Sequence, residues 1–209
     1  MFRPVAKRHT SVLIVLGGES IKGFDFSLIH EDITIITCNF VVDHIPRADY
    51  WISIDTGTPR TWLPRRPRGP YYFFGVPDGT DWLPRDVHPL RRMPRGDDNT
   101  LCHDKTQVRT GSSGYAALNL AHHFHAPRIG IIGLDGAGGH FYNPGENLIE
   151  PGHRDPVGYL HSFPGLFAAA VPQLNARGCM VINGSLRSTV DCFPRAAPED
   201  VVKWLNMFQ

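Results

Sequence analysis

The chain has little of what would mark it as anything other than an ordinary globule. It carries four cysteines in 209 residues (Cys38, Cys102, Cys179 and Cys192), with no C-x-x-C pair. That scatter gives neither a disulfide framework nor paired zinc spacing, and it reads as reduced, structural thiols of a cytoplasmic protein. The excess of one charge is small: the net charge is +1, which argues against a polycation seeking nucleic acid with its whole surface. No long apolar run is present. The stretch behind the basic opening segment reaches only about five residues before glycines interrupt it, too short for a signal-peptide core or a membrane span. No internal repeat is visible. Both G-x-G-x-x-G and the Walker A loop are missing. Hydrophobic content of 42% and charged content of 20% leave a single well-filled α/β domain over residues 1–209, with an Arg/Pro-rich insertion at 59–109 and a lid at about 136–162.

What is present begins at Ser11. Val12 to Leu16 is continuously apolar, as a strand buried on both faces requires. Gly17-Gly18 follows and allows a sharp turn and close backbone approach to a ligand. Ser20 then stands as an N-cap candidate for a short helix whose amides favour an anion. Ile33 to Cys38 reads as a second buried strand with Asn39 at its carboxyl end, and Tyr50 to Ile54 as a third, closed by Asp55. Ligands of open α/β sheets bind outside the carboxyl ends of strands. This places a nucleotide or phosphate site above Gly17, Gly18, Ser20 and Asn39. Asp55 at the same edge suits a ribose hydroxyl, a metal or a substrate amine, or forms a plain Asx turn.

Pro59 to Arg109 interleaves nine arginines with prolines and aspartates. Tyr71 to Phe74 is its one clear strand. The rest reads as a solvated surface, or as a contact surface for an acceptor or a nucleic acid. Thr110-Gly111-Ser112-Ser113-Gly114 then opens a helix carrying Ala116, Ala117, Leu120 and Phe124, a second place where small side chains and bare amides suit an anion. His122, His123 and His125 at its far end read as structural. Arg128 to Gly133 is a further buried strand that ends in Asp135. The glycine- and proline-rich stretch beyond it has no helical or strand period, which suits a lid over the strand ends. Phe163 to Ala176 reads as helix with a kink at Pro172. Met180 to Ile182 is the last strand, and Pro198 opens an amphipathic helix with Val201, Val202, Leu205 and Phe208. Strand and helix alternate, which predicts a doubly wound, mostly parallel Rossmann-like sheet.

Taken in order, these pieces resemble the small bacterial sialyltransferases that decorate lipooligosaccharide, and the related Rossmann-like superfamily that includes a hydroxymethylpterin pyrophosphokinase. The matching residues are Gly17-Gly18-Glu19-Ser20, Cys38-Asn39, Ser112-Ser113-Gly114, Gly133-Leu134-Asp135, Phe141-Tyr142-Asn143, Tyr159-Leu160-His161-Ser162 and Asn183-Gly184-Ser185. The resemblance implies a glycosyltransferase that needs no metal or other cofactor and takes a CMP-sugar-like donor. Asn39, Ser112, Ser113 and Gly114 would hold the nucleotide. Tyr142 would stabilise the leaving phosphate, and His161 would act as general base on the acceptor hydroxyl. Asp135 and the Gly17-Gly18-Ser20 turn complete the implied nucleotide site. The chain carries Gly17 where the family has an asparagine, and Leu148 near the place of the family's second lid tyrosine. Two alternatives stay open: a Mg²⁺-dependent pyrophosphoryl or nucleotidyl transferase with Asp55 and Asp135 on the metal, and a non-catalytic nucleotide-binding domain. The acceptor is a glycan or, through the arginines, a modified nucleic acid, and a homo-oligomer stands open beside a monomer.

Overall fold

In the computed structural model, residues 9–55, 71–76, 83–93, 99–136, 140–142 and 162–208 are described. Eight strands form one sheet: β1 (Val12–Val15), β2 (Thr34–Cys38), β3 (Tyr50–Ser53), β4 (Tyr71–Val76), β5 (Val87–Met93), β6 (Gln107–Arg109), β7 (Arg128–Ile132) and β8 (Met180–Gly184). Their order is β6-β5-β4-β3-β2-β1-β7-β8, and every pairing is parallel. The chain therefore steps outward from β1 to β6, crosses back through α1 (Ser113–His123), and lays β7 on the other side of β1. The reversal of direction lies between β1 and β7, the crevice where sheets of this kind bind ligands.

The central strands are apolar on both sides because both sides are covered. Val12, Ile14 and Leu16 join the core beneath α1, together with Leu166 and Phe167 of α2 (Phe163–Ala168) and Leu174 of α3 (Val171–Ala176). Leu13 and Val15 point the other way, into a second core with Ile21, Phe24 and the Val201, Val202 and Leu205 stripe of α4 (Pro198–Asn206). Alternation along one strand thus feeds two hydrophobic layers.

Four expectations are corrected. The segment between β1 and β2 holds no regular helix but two one-turn 3-10 pieces, Glu19–Ile21 and Phe26–Leu28. Gly18, not Ser20, stands at the first N-cap. The stretch 59–109 contributes β5 and β6 as well as β4, so the sheet extends two strands further than the apolar runs indicate. The Phe163–Ala176 helix is two helices, because Pro172 sits in the first turn of α3, where the missing amide costs nothing.

Candidate nucleotide site at the carboxyl edge

Two polar clusters and an aromatic stack line the carboxyl edge of the central strands. The first cluster forms where β2, β3 and α1 meet. Asn39 follows β2 with φ of 50°, a left-handed backbone that asparagine tolerates better than most residues. Its carbonyl accepts the Trp51 indole N–H at 2.7 Å, and its amide nitrogen donates to Asp55 Oδ2 at 2.8 Å. The Ser113 hydroxyl lies 3.2 Å from the same Asp55 oxygen and 3.3 Å from Asn39 Oδ1. The two serines at the start of α1 thus divide their work. Ser112 is the helix N-cap, its Oγ accepting from the Tyr115 amide at 3.0 Å, and Ser113 faces Asn39 and Asp55. Helix geometry leaves the Ser113 and Gly114 N–H groups with no carbonyl inside α1. Gly114 packs against the end of β1, where an added Cβ would lie 2.9 Å from Leu16 Cδ1.

The second cluster is centred on Asp135, 2% exposed after β7. Its Oδ2 accepts the Ser20 amide at 2.9 Å and its Oδ1 accepts the Ser185 hydroxyl at 2.7 Å. The anion expected over the Gly17-Gly18-Ser20 turn is, in this structure, the protein's own carboxylate. Gly18 is glycine for the same reason: a Cβ there would meet Gly133 O at 2.5 Å and Asp135 Cγ at 2.6 Å. Gly17 makes room for His140, whose Cδ2 would lie 2.5 Å from a Cβ there. The Phe141 amide donates to the Gly17 carbonyl at 2.8 Å, and Gly18 pairs with His140 in an antiparallel bridge.

This pairing brings Tyr142 to the same edge. Its ring stacks with two histidines, His44 at 4.3 Å with a 4° interplanar angle and His140 at 4.9 Å with 22°. His44 ends the 3-10 segment Asn39–His44, so the tyrosine is tied through that short segment to Asn39. Neither His44 nor His140 has a role assigned from the sequence. The aromatic run His140-Phe141-Tyr142 carried the signal for His140, while His44 carried none.

Gly17, Gly18, Ser20, Asn39, Ser112, Ser113, Gly114, Asp135 and Tyr142 are therefore all at the carboxyl edge. His161 lies outside the described residues, as do most of the stretch 136–162 expected to form a lid and much of the arginine-rich stretch 59–109. The Cys38 thiol, buried beneath Asn39, is pushed up by burial and secondarily by the Asp55 charge, so it is no nucleophile at neutral pH. All four cysteines are free thiols. Among the described residues, no group of three or more His, Cys, Asp or Glu is placed to hold a metal ion. No described helix is long and apolar enough to cross a membrane.

The architecture and its edge define a parallel Rossmann-like α/β domain with a polar site at the switch point between β1 and β7. No protein-family model matches the chain, and no curated protein matches it. Among solved structures, the fold is shared with the sialyltransferase CstII from Campylobacter jejuni, solved with the substrate analogue CMP-3FNeuAc. The TM-score is 0.51 at 12% identity, over 91% of this chain and 87% of that one. The MAf glycosyltransferase from Magnetospirillum magneticum AMB-1 aligns with a TM-score of 0.49 at 14% identity, over 97% of this chain and 37% of that one.

Proposed function

We propose that the chain is a glycosyltransferase that uses a nucleotide sugar, with a CMP-linked donor as the first choice. The observation that carries this reading is the meeting of Asn39, Ser113, the open amides of α1 and Tyr142 at one strand edge. The amides of Ser113 and Gly114 take phosphate oxygens, as a helix N-terminus does. Asn39 orients the nucleotide, and the Tyr142 phenol donates to the phosphate as its charge develops. The acceptor oxygen attacks the anomeric carbon, the bond from that carbon to the phosphate oxygen breaks, and the nucleotide leaves. The acceptor proton passes to His161. In this reading no metal takes part, the chain works in the cytoplasm, and the arginine-rich insertion receives the acceptor, a glycan or a modified nucleic acid. Kinship of fold with an enzyme solved with a CMP-sugar analogue supports the choice of donor.

A thermal-shift series with CMP, UDP, ADP and GDP tests the first step. A nucleotide at a hundred times its Kd adds about 2.7 kcal/mol, roughly 5–10 °C in Tm for a chain of this size. Hydrolysis of a CMP-linked sugar, with and without EDTA, tests the second. We expect His161→Ala to abolish turnover with nucleotide binding retained, Tyr142→Phe to lower kcat about tenfold or more, and EDTA to change nothing. Full activity in His161→Ala removes the assigned base. Loss of activity in EDTA points to metal-assisted transfer, and no stabilisation by any nucleotide removes the proposal.

A further inference from the structure

We propose that Asp55 is the acceptor for a ribose hydroxyl, so that the site selects ribonucleotides over their deoxy counterparts. This rests on the nucleotide reading above and adds to it which part of the ligand lies against β3. Asp55 is partly buried at the carboxyl end of β3, and its two oxygens are used unequally. Oδ2 takes the Asn39 amide at 2.8 Å and the Ser113 hydroxyl at 3.2 Å. Among the described residues, no donor reaches Oδ1, and no arginine, lysine or histidine forms an ion pair with the carboxylate. An ionised carboxylate has about four lone-pair positions, and those of Oδ1 remain for a ligand.

The chemistry of that ligand follows from the neighbours. A carboxylate oxygen accepts no phosphate oxygen, so the phosphate takes amide donors instead, and what lies against Oδ1 must donate without carrying negative charge. The vicinal hydroxyls of a ribose are such donors, and they lie within a few bonds of the phosphate. The framework is fixed before any ligand arrives. The Asn39 backbone is held by Trp51 at 2.7 Å and its side chain by Asp55, so the acceptor need not reorganise on binding. A divalent cation is the competing occupant of Oδ1, and the described residues supply no group of three His, Cys, Asp or Glu to hold one.

Calorimetric titration of the full chain with CMP, 2′-deoxyCMP and 3′-deoxyCMP decides the matter, with the UMP, AMP and GMP series alongside because the carboxylate reads sugar rather than base. We expect removal of at least one hydroxyl to weaken binding about tenfold to a hundredfold, the range of a hydrogen bond to a charged group. Asp55→Asn keeps the shape and an acceptor for the Asn39 amide, and should cut that ratio to below about threefold while Tm stays close to that of the wild type. Wild-type protein that binds ribo and deoxy forms equally overturns the inference and leaves the nucleotide reading standing. So does Asp55→Asn that keeps full discrimination, or binding that appears only with added Mg²⁺ and is lost in Asp55→Asn. Failure of every mononucleotide to bind overturns both.

Discussion

At the scale of single residues, the glycines separate into those that the packing demands and those that it does not. Gly18 is demanded. Its missing Cβ is where Gly133 O and Asp135 Cγ already sit, at 2.5 and 2.6 Å, and both are held by hydrogen bonds. Gly18→Ala should destabilise the fold by about 1–3 kcal/mol, the usual cost of overpacking against atoms that cannot swing away. Gly165, inside α2, is the contrast: a Cβ there meets nothing within 4 Å. Gly165→Ala should leave stability unchanged or raise it by up to about 1 kcal/mol, through helix propensity alone. Urea unfolding of the two variants beside the wild type checks both signs. Equal effects would mean that the turn after β1 can relax, and that its glycines are present for something other than packing.

At the scale of elements, the buried asparagine of α1 holds the far side of the sheet in place. Asn119 is 0% exposed. Its Oδ1 accepts the amides of Cys102 and Arg109 at 3.0 and 2.9 Å, and its Nδ2 donates to the Cys102 carbonyl at 3.1 Å. One side chain therefore ties the helix to β6 and to the loop that precedes it. Asn119→Ala removes three hydrogen bonds from a buried position and should cost about 3 kcal/mol. Hydrogen exchange should show the Cys102 and Arg109 amides losing protection before those of β1 and β7. Uniform loss of protection would show that β6 and the core open as one unit.

These elements also show where the sequence is legible. β1, β2, β3, β7 and β8 stand out because each carries a run of mostly apolar, mostly buried residues. β5 does not. It contains Pro89, Arg91 and Arg92, with burial only at Val87 and Leu90. Proline belongs at an edge, and the register explains its presence here. β6 overlaps only Arg91 to Met93, so Pro89 faces β4 alone and has edge character within an inner strand. The site is legible to the same partial degree. Asn39, Ser112 and Ser113 fall where strand ends and a helix start place them. The sequence carries no mark that Ser20 and Asp135 would satisfy each other, because that bond joins residues 115 positions apart.

At the scale of the whole molecule, α1 joins two unlike ends of the fold. It starts beside Asn39 and Asp55 and finishes among His103, His122, His123, His125, Lys105 and Arg177. His122 is 3% exposed at that second end, and Arg177 donates to its carbonyl at 3.1 Å. Burial first, then Arg177 and the neighbouring histidines, lowers its pKa from 6.5 to about 4. Burial also lowers His123, against the Gln107 carbonyl and Asp104, which act to raise it. The unfolded chain takes up a proton on His122 near pH 6.5, whereas the folded chain refuses it until about pH 4. Across that window the unfolded state binds more protons, so stability must rise with pH. The penalty is absent above 6.5, grows to about 2 kcal/mol at pH 5, and is complete, on the order of 3 kcal/mol, below 4. Urea midpoints at pH 5.0 and 7.5 should therefore differ more for the wild type than for His122→Gln, whose side chain does not titrate. An identical pH dependence in the two proteins would place the acid sensitivity in carboxylates elsewhere. Because the helix that anchors this cluster also presents the open amides of the candidate site, a nucleotide bound at Ser113 should offset part of the acid loss in Tm, and a Tm shift that is the same at both pH values would show that the two ends of α1 report to the fold independently.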